Sequence, residues 1–304
     1  PPGGTPGEQP EDFAVRCRRV LAMVLPFLER DEDVALVAHG HVLRILTATR
    51  GESPYWQETV DSVARAAATA EHVVICPVDR IPALVSARPG CLTAVAQAAP
   101  GLYPKLNQGL RQPPGSWEAF TWINDDDRLC APGFGALCAA GARQPEIDIL
   151  FGRVDLIDRH GRRVGELPVA RRPADLAALF AANVIPFAQP GTIIRRGICE
   201  KLGGLDETYR IVGDMDFFAR ALAAGARFAF TNAVVAEFRL SAGQLSKRRE
   251  EVAVETSRAL APLAGTPASV GARLRFRVAN LGAYLERVRR HGWVSMRELY
   301  DRTA

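Results

Sequence analysis

The chain has 304 residues, 48% of them hydrophobic, which is enough apolar material for one large core; no apolar run reaches the roughly 20 residues that a membrane-spanning helix needs. Its 38 basic and 34 acidic residues leave a net charge of +4 and are interleaved along the sequence, which argues against a nucleic-acid tract. Six dispersed cysteines, with no CxxC and no Cys/His pair at ligand spacing, exclude a zinc site of the usual kind and read as reduced thiols.

Residues 1–10, rich in Pro and Gly, read as an irregular lead-in, with none of the charged start and apolar core of an export signal. Over 11–30 the apolar residues Phe13, Cys17, Val20, Leu21, Val24 and Leu28 recur at helical spacing, and 34–38 has strand character. A second apolar run, 42–49, leads into the loop Arg50-Gly51-Glu52-Ser53-Pro54, then a helix through Thr59, Val60, Val63 and Ala66, then a strand over 72–76 that stops at Pro77. This alternation predicts an α/β domain with a mainly parallel sheet, in which ligands bind at the carboxyl ends of strands. A third strand, 120–123, runs directly into Asn124-Asp125-Asp126-Asp127. A helix over 132–142, a strand over 147–157 and a hairpin turn at Asp158-Arg159-His160-Gly161 follow, and 270–291 reads as amphipathic, arginine-rich helix.

Three adjacent carboxylates repel one another, so a run of them at a strand end calls for a cation or abundant water. A divalent Mn²⁺ or Mg²⁺ suits, since both take hard oxygen ligands and share them with phosphate. The same run reads equally well as a solvated turn capping the next helix. A second acidic group, Asp214-Met215-Asp216, precedes an apolar helix; it offers a carboxylate for general-base work, or simply two charges that favour the helix N-terminus.

The order of these features, from 42 to 246, resembles the family 2 glycosyltransferases of the GT-A fold. Leu43-Arg44-Ile45-Leu46-Thr47-Ala48-Thr49-Arg50 is similar to the family's opening strand and nucleotide loop. Tyr103 to Gly109, with Asn107, resembles the segment before the metal motif, and Trp122-Ile123-Asn124-Asp125-Asp126-Asp127 occupies the place of the DxD-type motif. Gln189-Pro190-Gly191-Thr192, Gly203-Gly204-Leu205-Asp206-Glu207 and the spacing of Asp214 from Arg220 are similar to the acceptor side. The resemblance implies an inverting transfer from a nucleotide-sugar donor to a glycan, lipid-linked or other hydroxyl acceptor. In that transfer Asp126 and Asp127 hold the metal, and Asp214 is the base. Thr47, Thr49, Asp79, Asn107, Asp125 and Asp126 meet the donor, and Gln189, Asp216 and Arg220 lie on the acceptor side. The sequence departs from the family at Cys76-Pro77-Val78-Asp79, where an aspartate usually follows the second strand, at Ser241, where histidine is common, and at Asp125, where a small residue is common. A relative that binds nucleotide sugar or glycan without turnover is the second reading.

Val34-Ala35-Leu36-Val37-Ala38-His39-Gly40-His41-Val42-Leu43-Arg44 also resembles the C-terminal part of histidine phosphatases related to phosphoglycerate mutase. That family needs a nucleophilic histidine in an upstream Arg-His-Gly, which this sequence lacks; Arg159-His160-Gly161 reads as a turn. The expected organisation is an extension over 1–41, a GT-A domain over 42–246 and amphipathic helices over 247–304. The helices either cover the domain, make a homodimer contact or meet an acidic lipid surface. The expected location is the cytoplasm, including the inner face of the membrane.

Overall fold

The computed structural model describes residues 42–86, 90, 92–113, 117–241, 248–294 and 298–299. The expected helix over 11–30, the strand over 34–38 and the phosphatase-like His39 lie outside the described residues. The sheet contains β1 (Val42–Ala48), β2 (Glu71–Cys76), β3 (Thr93–Ala96), β4 (Trp117–Trp122), β5 (Arg128–Leu129), β6 (Ile149–Ile157), β7 (Arg163–Glu166), β8 (Ile193–Arg195) and β9 (Phe228–Arg239). Around it lie α1 (Trp56–Ala66), α2 (Ile81–Ser86), α3 (Leu102–Leu110), α4 (Ala131–Arg143), α5 (Leu176–Ala181), α6 (Arg196–Lys201) and α7 (Gly213–Ala223). Three helices end the described chain: α8 (Arg249–Ala259), α9 (Val270–Ala279) and α10 (Leu281–His291).

The strand order is β3-β2-β1-β4-β8-β6-β9-β5, with β7 paired to β6. The parallel pairings β1/β2, β1/β4, β2/β3 and β6/β9 are the long ones, whereas each antiparallel pairing spans two or three residues. The sheet is therefore mainly parallel, as the strand–helix alternation predicts. Parallel strands are covered on both faces, and β2 shows it: Val73, Val74, Ile75 and Cys76 are successive and all buried. In β4 Trp117 meets Phe120 edge to face and Phe120 stacks on Trp122, with centroids 5.6 and 6.1 Å apart, and all three are buried as core side chains.

Arg44 is fully buried in β1. Its guanidinium donates to Glu71 at 2.8 Å and to the carbonyls of Gly109, Leu110 and Gln112 at 3.1, 3.0 and 2.8 Å, tying the C-terminus of α3 beneath the sheet. The hairpin expected at 158–161 joins β6 to β7: Asp158 Oδ1 accepts the amides of His160 and Arg162 at 2.8 and 2.9 Å, and Gly161 takes φ 74°. His160 is thus part of a surface turn.

Candidate active site

Because β1 and β4 run parallel, their carboxyl ends meet at one edge of the sheet. The Thr49 amide donates to Ile75 O and the Ile123 amide to Leu46 O, each at 3.0 Å, so the chain leaves both strands side by side. Thr49 and the acidic turn are thereby brought together. Thr49 Oγ1 donates to Asp125 Oδ2 and itself accepts the Gly51 amide at 2.8 Å. Ser53 Oγ donates to Asp125 O at 2.7 Å, and the Lys105 ammonium donates to Thr49 O at 3.2 Å.

The three aspartates of the run have different surroundings. Asp125 and Asp126 line a cleft of about 2060 Å³ that also takes in Thr49, Tyr103, Gln189 and Asp214. Burial raises the Asp125 carboxyl, and burial together with the charge of Asp125 raises Asp126 to about 6. Asp127 points the other way and is 0% exposed. Its Oδ1 accepts the Arg239 amide at 2.8 Å and its Oδ2 accepts the Asn124 side-chain amide at 3.0 Å. Each oxygen is thus bonded inside the protein, and of the expected Asp126/Asp127 pair only Asp126 lines the cleft, alongside Asp125. Among the described residues no group of three or more His, Cys, Asp or Glu side chains could by itself hold a metal ion.

Arg239, at the end of β9, anchors this turn. Its Nε donates to Asp126 O at 2.8 Å, its NH2 group to Glu58 at 2.6 Å, and its guanidinium lies 4.0 Å from the centre of the Tyr55 ring. Thr59 Oγ1 adds a bond to Asp127 O at 2.8 Å, and Ser241 Oγ reaches Asp126 Oδ2 at 3.4 Å.

Across the cleft, Asp214 stands in the first turn of α7. Its Oδ1 accepts the Met215 amide at 2.9 Å, and burial raises the carboxyl to about 6. Tyr103 holds this corner: its hydroxyl donates to Ile211 O at 2.8 Å and accepts the Asp214 amide at 3.3 Å. Burial, then the charge of Asp214, pushes the phenol well above its ordinary range, so it stays protonated. Gly213 makes the approach feasible, since a Cβ there would lie 2.7 Å from the Tyr103 ring. Gln189 donates to Trp122 O at 2.8 Å and lines the cleft between the two halves.

Five other expected residues do not line it. Thr47 is buried in β1 with its hydroxyl 3.0 Å from His72 Nε2 of β2. Asp79 is exposed on a 3₁₀ turn beside Arg80, at 3.5 Å. Asn107 bonds Leu205 O and Glu207 at 2.7 and 2.9 Å, joining α3 to the loop before α7. Asp216 and Arg220 pair at 2.7 Å, and the same guanidinium donates to Leu202 O and Gly204 O at 2.9 and 3.1 Å. Thr47, Asn107, Asp216 and Arg220 therefore tie parts of the scaffold together, whereas Asp79 lies on the surface. Conversely, Tyr103, Lys105, Glu58 and Arg239 were not singled out from the sequence. Tyr103 fits the apolar period of α3, and nothing in one sequence distinguishes a buried Lys105 from a surface lysine.

No family profile matches the chain, and no curated protein sequence matches it. Solved structures do match. S. aureus TarS aligns with a TM-score of 0.55 at 16% identity, covering 84% of this chain and 44% of TarS, so the chain spans less than half the length of that protein. The mannosyltransferase PcManGT from Pyrobaculum calidifontis, in complex with GDP-Man and Mn²⁺, aligns at 0.53 and 15% identity over 94% of this chain and 88% of PcManGT. Residues 1–349 of TarS in complex with UDP-GlcNAc align at 0.52 and 14% identity, over 81% and 79% of the respective chains. The fold is GT-A. In this GT-A chain the acidic turn and Asp214 share one cleft, whereas the phosphatase-like segment gains no support from these comparisons.

Proposed function

We propose that this chain is an inverting glycosyltransferase that moves a sugar from a nucleotide-diphosphate donor to a hydroxyl group of a glycan, lipid-linked or other acceptor. One observation carries the reading: a single cleft contains the Asp125 and Asp126 carboxyls at the carboxyl edge of parallel strands and, on another wall, the Asp214 carboxyl raised to about 6. The first is where open α/β sheets take nucleotides. The second is a carboxylate poised to accept a hydroxyl proton near neutral pH.

The carboxylates suit a Mn²⁺ or Mg²⁺ ion, since Asp125 and Asp126 offer hard oxygens, and a cation would offset the burial and, after it, the repulsion from Asp125 that together lift Asp126. When bound, such an ion supplies charge neutralisation to a departing diphosphate. Thr49 and Ser53 orient Asp125, while Asp127 and Arg239 hold the turn from inside. In the reaction, Asp214 takes the acceptor's hydroxyl proton as the acceptor oxygen attacks the anomeric carbon from the face opposite the diphosphate. The bond from that carbon to the diphosphate oxygen breaks, and its electron pair leaves with the nucleoside diphosphate. A single displacement inverts the anomeric centre.

Melting curves with UDP-, GDP- and dTDP-sugars, with and without Mn²⁺, test the donor half, because a ligand that binds the native state raises its apparent stability by mass action. One nucleotide series is expected to stabilise the protein only with Mn²⁺, and Asp126→Ala to abolish the effect. Asp214→Asn is expected to keep donor binding and to stop transfer. Donor binding without transfer to any hydroxyl acceptor would mark a binding-only relative, and full transfer by Asp214→Asn would remove the base assignment.

A further inference from the structure

The helices that follow the sheet carry an apolar face that no part of the described chain covers. Val270, Leu274, Val278, Leu281 and Leu285 are all more than half exposed and recur at steps of four, four, three and four residues along α9 and α10. Backbone hydrogen bonds continue across the junction, from Asn280 N to Phe276 O at 3.2 Å and from Tyr284 N to Asn280 O at 3.1 Å. Trp293, two residues beyond α10, is 92% exposed. The opposite side of the helices is firmly held: Arg275 pairs with Asp175 at 2.5 and 2.9 Å, Asn280 bonds both the amide and the carbonyl of Val169, and Glu286 pairs with Arg163. The stripe is thus held in place by the fold and exposed among the described residues.

Cations border it. At about 100° per residue, Arg273 and Arg277 fall on one flank of the stripe and Arg289 on the other. All three are exposed, and none makes an ion pair among the described residues. Arg273, Arg277 and Tyr284 also line a small pocket of about 250 Å³, closed from behind by Phe276, a residue that lines the large cleft as well. An apolar stripe between arginines, next to a pocket of two guanidiniums and a phenol, matches the layered chemistry of a bilayer surface, with acyl chains below and anionic phosphates above. No helix among the described residues is long and apolar enough to cross a membrane.

We infer that α9 and α10 dock the protein peripherally on an anionic lipid surface, with the Val270–Leu285 stripe and Trp293 in the interface and Arg273 and Arg277 on lipid phosphate. Docked this way, the face of α9 that lines the cleft stands beside the lipid surface.

The tryptophans provide a direct readout. Trp56, Trp117 and Trp122 are buried and Trp293 is exposed, so a blue shift in intrinsic fluorescence on adding vesicles reports Trp293 entering the interface. The full chain is titrated with phosphatidylcholine vesicles and with vesicles containing a third phosphatidylglycerol, and bound protein is measured by co-sedimentation. The expected result is a blue shift and sedimentation with the anionic vesicles, at least ten-fold weaker for Leu274→Glu/Leu281→Glu. Arg273→Ala/Arg277→Ala is expected to bind the two vesicle types alike. These positions are exposed, so unchanged melting curves check that the variants fold. Equal vesicle binding by wild type and the glutamate variant overturns the inference. So does a wild-type dimer in light scattering that the glutamate variant splits, with no vesicle binding by either protein. No donor, metal or turnover is involved, so the outcome is separate from that of the glycosyl-transfer reading.

Discussion

At Asp214 the groups that act on the carboxyl are the backbone amides at the start of α7, and burial outweighs them, which is why the carboxyl rises to about 6. A base must be deprotonated to act, so kcat/KM at saturating Mn²⁺ should climb through an acidic limb near pH 6 and level off above it. The same shift affects stability with the opposite sense. The folded state holds this proton more tightly than the unfolded chain, so the group favours folding below about pH 4 and that contribution is lost as the pH rises through 6. Asp214→Asn, which retains an oxygen for the Met215 amide, should therefore melt above wild type at pH 7 and level with it near pH 3.5, as read by calorimetry. Asp127 shows a different character. Asp127→Asn turns an amide group toward either the Asn124 amide or the Arg239 N–H, and should cost about 1–3 kcal/mol in urea unfolding. Mn²⁺-dependent donor stabilisation should persist in that variant and vanish in Asp126→Asn.

Between elements, α4 packs closely against β9 at Gly133. A Cβ on Gly133 would lie 1.8 Å from Val234 O, a backbone atom that cannot move aside without displacing the strand carrying Arg239. Gly133→Ala should lower unfolding free energy by about 1–3 kcal/mol or more, and should loosen the acidic turn along with β9. Arg220 joins α7 to the 202–204 turn through Asp216 and two carbonyls. Arg220→Ala should cost about 2 kcal/mol by equilibrium unfolding while leaving the donor Kd unchanged, as expected of a clamp outside the cleft. The elements with a simple period were legible in sequence: β1, β2, α1 and α4 fall where apolar spacing puts them, and the β6–β7 hairpin falls at the turn residues 158–161. β9 escaped because its twelve residues pass irregularly among buried, partly buried and exposed positions, as a strand that contacts β6, β5 and α4 at different points must.

For the molecule as a whole, the C-terminal helices share the core of the sheet. Ala259, Leu263, Ala272 and Phe276 are buried in the same hydrophobic cluster as Tyr103, Phe187 and Phe217. Glu255 of α8 accepts the amides of Arg210, Ile211 and Val212 at 2.9, 2.9 and 3.0 Å, just ahead of Asp214. Removing residues 248–304 should thus yield protein that aggregates or binds a hydrophobic dye, with loss of the cooperative melt. A soluble truncation with a wild-type melt would show that the sheet domain stands alone.

The sequence by itself determined the α/β alternation, the acidic run at a strand's carboxyl end and the order of Thr49, Asp126 and Asp214, because each depends on local period or on position along the chain. Which face each side chain takes was decided only in three dimensions. Asp125, Asp126 and Asp127 are neighbours in sequence, yet two meet the cleft and one turns inward, because Asn124 and the amide of Arg239, more than a hundred residues further along, each bond one oxygen of the third. Thr47, Asn107, Asp216 and Arg220 were drawn into the scaffold in the same way, since a buried polar group takes the partner that packing brings to it.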